Sequence, residues 1–375
     1  MVMSPQDRDL TDQKFMKMAL QLARRGLGQV APNPAVGCLI VKDNLVVGRG
    51  HTQVGGRPHA EVVALSEAGD HAKGATAYVT LEPCSHHGKT PPCAEALINA
   101  GVARVVVAMG DPDERVDGDG VEMLRDAGVE VTVGVLQKQA LENNLGFVLN
   151  RTISRPKVML KTATTLDGKI ATHTGNSQWI TGPDARRFGH MLRAKNDAIM
   201  VGIGTVLADD PRLDCRIPGL ENRSPIRIVA DTRLRLPLTS ELVKTANEIP
   251  VWVLTLKGNA PERIDALEDL GVKVIELCAG ESGYPDMSEA LNVLSEAGIT
   301  RLLVEGGSHL QASLVKEDLV DELYWFRASK LVGGDGISVL QSLGLDLIAD
   351  AVSMKLADHR QLGDDRLEIY NFRTE

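Results

Sequence analysis

The sequences P-H-A-E at residues 58–61 and P-C-S-H-H-G-K-T-P-P-C at residues 83–93 decide how the first part of this chain folds. Zinc prefers thiolate and imidazole ligands, and a catalytic zinc uses three protein ligands and leaves a fourth position for water. His59, Cys84 and Cys93 supply three such ligands. The sequence therefore predicts a metal centre, with a helix beginning beside His59 and the two cysteines at the N-terminus of another helix, whose dipole favours thiolate.

Glu61 is predicted to move protons at this centre. It lies two residues after His59, at the start of the same helix, so its carboxylate can face the metal without binding it. Zinc deaminases of nucleobases use a glutamate in this way, in an H-x-E…P-C-x-x-C pattern. Here eight residues rather than two separate Cys84 from Cys93. The motif indicates a zinc-dependent deaminase of a nucleobase-like ring, with an enlarged loop over residues 85–92.

Two other interpretations of the motif remain open from the residues alone. One is a closed zinc knuckle with His86 or His87 as the fourth ligand, which leaves Glu61 without a role. The other is that both cysteines are ordinary buried thiols, which leaves the joint occurrence of P-H-A-E and P-C…C unexplained.

Composition limits the function classes. A chain of 375 residues predicts two domains. Its net charge of −9 argues against a nucleic-acid partner, because phosphate backbones need a basic face. We find no apolar run of membrane-spanning length and no signal peptide. Five scattered cysteines do not form a disulfide framework, so a cytoplasmic location is expected.

Alternating strand and helix patterns predict an α/β fold in both halves. We expect strands at 35–41, 45–49, 76–81, 104–109 and 129–135, with helices at 12–27, 60–68, 92–100, 119–127 and 137–149. A new series begins after a junction at 151–156, with strands at 157–163, 197–203, 225–231, 250–256, 272–277 and 301–307 and helices at 183–194, 261–269, 287–297 and 307–316. The tail from Asp321 is predicted to be rich in strands. The expected domains are residues 1–150 and 156–375.

The second half lacks the G-x-G-x-x-G fingerprint of dinucleotide-binding folds. It has G-I-G-T at residues 202–205 and E-G-G-S-H-L at 305–310, each after a predicted strand and before a predicted helix. Such loops present backbone N–H groups to phosphates. We expect both loops at the carboxyl edge of a parallel sheet, where ligands bind.

Several longer motifs resemble the bifunctional deaminase–reductase family of riboflavin biosynthesis. They are A-P-N-P-A-V-G (31–37), H-T-Q-V-G-G-R-P-H-A-E (51–61), T-L-E-P-C-S-H-H-G-K-T-P-P-C (80–93), K-T-A-T-T-L-D-G-K-I-A (161–171), S-Q-W-I-T (177–181), T-V-L-A-D-D-P-R-L (205–213) and V-E-G-G (304–307). The resemblance implies a cytidine-deaminase-like three-layer α/β/α domain followed by a dihydrofolate-reductase-like α/β domain. It also implies zinc, NADPH, a phosphorylated pyrimidine substrate and assembly into dimers or tetramers.

The resemblance also implies roles for individual residues. Asn33, Lys89 and Thr90 would contact the substrate of the deaminase, the last two at its phosphate. The residues implied for NADPH are Ala163, Trp179, Thr205, Asp209, Gly307, Ser308 and His309, within a run that extends to Ser313. The residues implied for the substrate of the reductase are Ser177, Arg193, Leu213, Arg216 and Glu305, with the two arginines as phosphate contacts.

Simpler roles stay open for some of these residues. Asn33 fits a turn between two prolines, and Lys89 and Thr90 fit a solvated loop. His51 fits the deaminase pocket or the core. Lys161 and Asp167 are expected near the hydride-transfer centre, although Asp167-Gly168 also fits a simple turn. For the whole chain, the alternative is a nucleoside or tRNA deaminase with an appended domain of other function.

Overall fold

The computed structural model describes residues 5–87, 91–112, 118–280 and 283–372. The chain divides into two compact units, residues 1–155 and 156–375, and each unit has its own hydrophobic core. Strands and helices alternate in both units, so the predicted α/β class is confirmed. Among the described residues, no helix is long and apolar enough to cross a membrane.

The first unit is built on a five-stranded sheet in the order β2-β1-β3-β4-β5. Its strands are β1 (Gly37–Lys42), β2 (Leu45–His51), β3 (Thr76–Val79), β4 (Arg104–Val107) and β5 (Glu130–Val133). β1 pairs antiparallel with β2 and β3, whereas β3, β4 and β5 are parallel. The segment that follows β3 therefore leaves the same sheet edge as the segment that follows β4.

Helices cover both faces of this sheet. They are α1 (Pro5–Ala23), α2 (Ala60–Ala68), α3 (Cys93–Asn99), α4 (Asp119–Asp126) and α5 (Gln137–Ile153). A Cβ atom on Gly37 would lie 2.0 Å from the Ala19 carbonyl oxygen of α1, and one on Gly50 would lie 2.1 Å from the Ala60 carbonyl oxygen of α2. Gly50 pairs with Cys38, the neighbour of Gly37, so α1 and α2 lie on opposite faces. Glycine at both positions lets the helices rest directly on the sheet.

The second unit has a nine-stranded sheet in the order β11-β10-β9-β8-β12-β6-β13-β16-β15. Its strands are β6 (Lys157–Thr165), β8 (Ala198–Gly202), β9 (Ile226–Ala230), β10 (Val251–Leu256), β11 (Val272–Leu277), β12 (Arg301–Glu305), β13 (Glu322–Ala328), β15 (Lys355–Leu362) and β16 (Asp365–Asn371). Two short strands, β7 (Lys169–Ala171) and β14 (Ile337–Ser338), form a separate pair. The strands from β11 to β13 are parallel, and β16 and β15 extend the sheet antiparallel.

Two loops meet at the carboxyl edge of this sheet, as predicted. β8 and β12 are parallel neighbours, so the loops that follow Gly202 and Glu305 leave the same edge. A Cβ atom on Gly306 would lie 3.2 Å from the Thr205 hydroxyl, and Gly306 and Gly307 have φ of 79° and 82°. Glycine adopts such positive φ values readily, and it allows the two loops to touch.

The helices of the second unit connect its strands. They are α6 (Pro183–Ala194), α7 (Ile203–Asp209), α8 (Glu241–Lys244), α9 (Pro261–Glu268), α10 (Met287–Glu296) and α11 (Ser308–Lys316). α6 has the predicted bounds, and the predicted strand-rich tail corresponds to β13–β16.

The first helix differs from its prediction over residues 12–27. α1 begins at Pro5 and ends at Ala23, after which the chain turns. The added N-terminal part is polar and exposed, so it carries no apolar periodicity to signal a helix. On the remainder of the helix Met16 and Leu20 are buried, whereas Met18 is 39% exposed.

Candidate active sites

Three side chains that are predicted to bind metal come together in the first unit. The ligand atoms of His59, Cys84 and Cys93 lie within 4.8 Å of one another. His59 Nδ1 is 3.2 Å from Cys93 Sγ and 3.7 Å from Cys84 Sγ. His59 immediately precedes α2, and Cys93 is the first residue of α3. The N-terminal ends of two helices therefore present two of the donors. Cys84, which was also predicted at a helix N-terminus, lies instead in the loop before α3, where its carbonyl accepts the Ala94 N–H.

The spacing of these donors fits zinc. Tetrahedral zinc with its usual bonds to sulfur and nitrogen places an imidazole nitrogen about 3.5 Å from a thiolate sulfur. The two observed nitrogen–sulfur distances, 3.2 and 3.7 Å, lie on either side of that value. The backbone N–H of Cys93 also donates to Cys84 Sγ at 3.3 Å, which favours a thiolate there. The donor set has the chemistry and dimensions of a three-ligand zinc site.

The cluster combines a cysteine of lowered pKa with a buried carboxyl group, an arrangement that favours the binding of a cation. A hydrogen bond from Cys93 lowers the pKa of the Cys84 thiol to about 4, against the opposing effect of burial. Glu61 is 3% exposed, and this burial raises its pKa to about 7. The negative charge of Glu61 adds to burial in raising the pKa of the neighbouring Cys38 thiol. Glu61 is thus a carboxylate enclosed beside the donors and outside the three-ligand set.

The described residues do not favour a closed zinc knuckle. Within them, no further histidine, cysteine, aspartate or glutamate joins the three-donor cluster. His86 and His87 are exposed, and His87 Nε2 faces the Glu95 carboxylate at 3.6 Å. Lys89 and Thr90, the predicted phosphate contacts, lie outside the described residues.

Asn33 is held by a close contact with a glycine. A Cβ atom on Gly56 would lie 2.0 Å from Asn33 Nδ2, and Gly56 has φ of 85°. The backbone around Asn33 is fixed by Thr52, whose hydroxyl accepts from the Val36 N–H and donates to the Pro34 carbonyl. Asn33 is half-buried. His51, whose role stayed open, is half-buried at the end of β2.

A buried glutamate anchors the loop that carries Cys84. The Glu82 carboxylate is 5% exposed and accepts the backbone N–H groups of Asp111, Gly118 and Val121. Gly120 lies so close to this loop that a Cβ atom would be 1.9 Å from the Pro83 carbonyl oxygen. These contacts tie the segment before Cys84 to the start of α4.

The second unit contains a cavity of about 620 Å³ at the carboxyl edge of its sheet. Nearly all of the residues predicted for NADPH and for the substrate of the reductase line it, namely Ala163, Ser177, Trp179, Arg193, Thr205, Asp209, Leu213, Arg216, Glu305, Gly307 and Ser308. His309, which is exposed on the first turn of α11, is not among the residues that line the cavity. α11 begins directly after Gly306 and Gly307, and a helix N-terminus of this kind suits a phosphate-rich cofactor.

A buried ion pair forms one wall of this cavity. Arg193 Nε and Nη2 donate to the two Glu305 carboxylate oxygens, each at 2.9 Å, and Lys161 Nζ lies 3.7 Å from the same carboxylate. Burial alone would raise the pKa of Glu305, but these two cations lower it to about 2. Glu305 is therefore a fixed negative charge within the cavity.

Asp167 forms a turn rather than part of the cavity wall. It is exposed, and its carboxylate accepts the Thr165 hydroxyl at 2.6 Å and the Gly333 N–H at 2.8 Å. These hydrogen bonds lower its pKa to about 2. The Gly168 N–H donates to the Thr165 carbonyl, which closes the turn.

Among the cavity residues that were not singled out from the sequence, two are arginines, Arg186 and Arg212. Arg186 precedes Arg193 by seven residues on α6, so helical spacing places them on the same face. Arg212 adjoins Leu213, which was predicted. Helix periodicity and loop proximity are the signals that would have found them.

Two family descriptions match the chain. "Cytidine and deoxycytidylate deaminase zinc-binding region" matches residues 10–109, and "RibD C-terminal domain" matches residues 156–367. Together with the metal cluster and the cavity, they define the class of protein as a zinc-dependent deaminase joined to a reductase.

Relatives over nearly the whole chain make this assignment specific. The riboflavin biosynthesis protein RibD of Aquifex aeolicus (strain VF5) is 43% identical over 354 residues, which cover 94% of this chain and 96% of that protein. The structure of Acinetobacter baumannii RibD, form 1, superposes with a TM-score of 0.87 at 38% identity and covers 97% of this chain and 99% of that one. A Thermotoga maritima structure, named a diaminohydroxyphosphoribosylaminopyrimidine deaminase/5-amino-6-(5-phosphoribosylamino)uracil reductase, gives 0.84 at 34% identity over 97% and 99%.

The chain belongs to the RibD family. It is a bifunctional deaminase and reductase of riboflavin biosynthesis, which uses zinc and NADPH as predicted. The alternative of a nucleoside or tRNA deaminase with an unrelated second half is wrong, because the similarity extends through both units.

Proposed function

We propose that the chain catalyses two consecutive reactions. The first removes the 2-amino group of 2,5-diamino-6-ribosylamino-4(3H)-pyrimidinone 5′-phosphate as ammonia. The second reduces the ribosyl side chain with NADPH to give 5-amino-6-ribitylaminouracil 5′-phosphate. The observation that carries the proposal is the three-donor cluster of His59, Cys84 and Cys93 with Glu61 buried beside it. The name of the Thermotoga maritima relative supports the choice of substrate.

In the proposed deamination, Glu61 carries the protons. Zinc held by three protein donors leaves a fourth position for water and lowers the pKa of that water. The Glu61 carboxylate takes a proton from the attacking water as the water oxygen bonds to the ring carbon, and it delivers that proton to the adjacent ring nitrogen, which receives the electron pair of the broken C=N π bond. Glu61 then moves the proton of the new hydroxyl group to the amino group, so that the exocyclic carbon–nitrogen bond breaks, ammonia leaves and the ring carbonyl forms. Enclosure of Glu61 keeps bulk water from competing for this proton.

Three residues of the first unit are proposed to bind the substrate of the deaminase. The Asn33 amide hydrogen-bonds the sugar or the ring, and its contact with Gly56 holds it in place. Lys89 binds the 5′-phosphate as a point charge, and Thr90 donates its hydroxyl to the same group.

In the proposed reduction, NADPH supplies the hydride and the protein orients the two reactants. The proposed cofactor contacts are Ala163, Trp179, Thr205, Asp209, Gly307 and Ser308, which line the cavity. His309, which the family resemblance also implies, lies on the first turn of α11 outside the cavity lining. The proposed substrate contacts are Ser177, Arg193, Leu213, Arg216 and Glu305. The fixed negative charge of Glu305 orients the sugar hydroxyls, because a carboxylate accepts hydrogen bonds from them.

A glutamine substitution tests the deaminase assignment. We expect Glu61→Gln to lower the rate of ammonia release by about 10³-fold, since general acid–base catalysis contributes roughly 10²–10⁴. Zinc content should stay near one per chain. Glu67→Gln, an exposed change on the same helix, is the control and should keep the wild-type rate. Normal ammonia release by Glu61→Gln with zinc retained would overturn the role of Glu61.

Further parts of the proposal concern organisation. We place the deaminase domain at residues 1–150 and the reductase domain at 156–375, which is supported by the division into units at Arg155. A cytoplasmic location is supported by five free cysteines.

A homo-oligomer, dimer or tetramer, is supported by exposed apolar side chains such as Leu331, Leu347 and Ile348, which are 74%, 65% and 93% exposed. Sedimentation velocity measures the oligomeric state.

A further inference from the structure

The segment between β7 and α6 lies along the reductase cavity without forming a helix or a strand. Residues 177–181 of this segment all line the cavity, and we call residues 177–182 the cavity strap. Trp179, near the middle of the strap, is 62% exposed. Tryptophan is on average a largely buried residue, so this exposure within a cavity wall leaves much of an indole ring open to a ligand.

Side chains from distant parts of the chain hold the backbone of the cavity strap. Lys330, which follows β13, donates from Nζ to the Trp179 carbonyl at 2.7 Å. Asp365, the first residue of β16, is 4% exposed and accepts the Gly182 N–H at 2.6 Å. In the described part of the chain, neither Lys330 nor Asp365 lines the cavity. Their contacts therefore fix the strap itself and leave the cavity free.

Arg186 holds both the backbone of the strap and the ring that the strap carries. Its Nη1 donates to the Thr181 carbonyl at 2.6 Å, and its guanidinium carbon lies 4.6 Å from the centroid of the Trp179 ring. A guanidinium at this distance is attracted to the face of an indole and can stack on it. Because Arg186 belongs to the first turn of α6, a regular element determines where this cation lies. One face of the indole is thus covered by a fixed partner, and the opposite face stays open.

We propose that Arg186 is a positioning residue of the reductase, which holds Trp179 as a flat platform for an aromatic ring of NADPH. Aromatic rings attract one another in offset stacks, and this requires the two ring planes to be aligned. A platform whose tilt is already set loses less conformational entropy when the ligand binds. The inference rests on the proposed function, in which Trp179 contacts the cofactor. It adds a residue that acts on the cofactor through Trp179.

Equilibrium binding to the full-length protein tests the platform without turnover. The ligands for calorimetry are NADP⁺, which carries nicotinamide and adenine, and adenosine 2′,5′-bisphosphate, which carries adenine alone. We expect Arg186→Gln to raise the Kd of NADP⁺ about fivefold, the scale of one cation–π contact at an exposed site. Trp179→Ala should raise it about tenfold, the scale of one stacked ring. Arg187→Gln, an exposed change of the same charge on α6, is the control and should keep the wild-type Kd.

A double variant separates positioning from direct attraction of the anionic cofactor. Arg186→Gln in the Trp179→Ala background should cause no further loss of affinity, because positioning acts only through the indole. Arg186→Lys keeps the charge and removes the planar group, so it should show most of the loss seen with Arg186→Gln. A wild-type Kd for Arg186→Lys, or a further fivefold loss in the double variant, would overturn the positioning role.

Acrylamide quenching of tryptophan fluorescence gives a second readout, in the protein without cofactor. Arg186→Gln should increase the quenching, because one face of the Trp179 indole loses its cover. The increase should be absent in the Trp179→Ala background, and the melting temperature of the second unit should not change. Increased quenching that persists without Trp179 would come from Trp252 or Trp325. It would show that the substitution loosens the whole unit, and the positioning role would then be wrong.

The two ligands also identify the ring that stacks. A loss of affinity for NADP⁺ alone places the nicotinamide on the platform, and equal losses for both ligands place the adenine there. A loss in Trp179→Ala without one in Arg186→Gln overturns the inference and leaves the proposed cofactor contact intact. An unchanged Kd in Trp179→Ala overturns both. If the wild-type protein binds NADP⁺ but does not oxidise NADPH with 5-amino-6-(5-phosphoribosylamino)uracil, the proposed reduction fails while the platform stands.

Discussion

At the scale of single residues, Gly56 ties backbone geometry to substrate binding. A methyl group there would collide with the Asn33 amide, whereas Gly55, with a similar φ of 75°, has nothing within 4 Å of a Cβ position. Gly56→Ala should therefore raise the KM for the diaminopyrimidine about tenfold, as expected for a lost hydrogen bond, with zinc retained. Gly55→Ala carries the same backbone strain without the collision and should change KM little. Equal effects of the two variants would show that Asn33 does not contact the substrate.

Glu305 gives a pH-dependent prediction at the same scale. Its pKa falls from 4.5 to about 2 in the folded protein, so the stability that it contributes is present above pH 4.5 and lost as pH falls toward 2. Glu305→Gln should destabilise the second unit by about 3 kcal/mol at pH 7, because it leaves Arg193 buried without its counter-ion.

The stability difference between wild type and Glu305→Gln should shrink by about 1.4 kcal/mol between pH 7 and pH 3.5, one pH unit below the ordinary pKa. Urea unfolding followed by tryptophan fluorescence measures it, since all three tryptophans, Trp179, Trp252 and Trp325, lie in the second unit. A difference that does not change with pH would mean that Glu305 is not held ionised by its cations.

At the scale of elements, helix bounds were predicted best where the apolar periodicity begins or ends at a glycine or a proline. α6 starts at Pro183 after a glycine and matches its prediction at both ends. α1 was predicted to begin too late, because its polar first turns carry no periodic signal. β7, β14 and α8 have three, two and four residues, too few to show a period. They depend on contacts that are distant in sequence, such as the pairing of β7 with β14.

The difference between local signals and long-range contacts also explains which site residues could be predicted. The metal donors and Glu61 lie in two short motifs, and the residue types and spacing of these motifs are enough to indicate their chemistry. The connection between Asp214 and Arg193 joins a loop to a helix 21 residues away, and that between Arg193 and Glu305 spans 112 residues. Only the fold places these charges together. The family resemblance implied Arg193 and Arg216, but not the ion pair in which Arg212 Nε lies 3.0 Å from Asp214 Oδ2.

At the scale of the whole molecule, the two activities should separate when zinc is removed. The metal donors belong entirely to the first unit and the reductase cavity entirely to the second, and each unit has its own core. Exhaustive treatment with a chelator should therefore abolish ammonia release and lower the thermal stability of the first unit, because bound metal stabilises the folded state. NADPH oxidation with supplied 5-amino-6-(5-phosphoribosylamino)uracil should stay within about twofold of the untreated rate, and tryptophan fluorescence should report an unchanged melting temperature for the second unit.

Restoration of ammonia release by added zinc is the control for irreversible damage. Loss of both activities on chelation, with recovery of both on adding zinc, would show that the reductase activity also depends on the metal, and it would contradict the predicted independence of the two units.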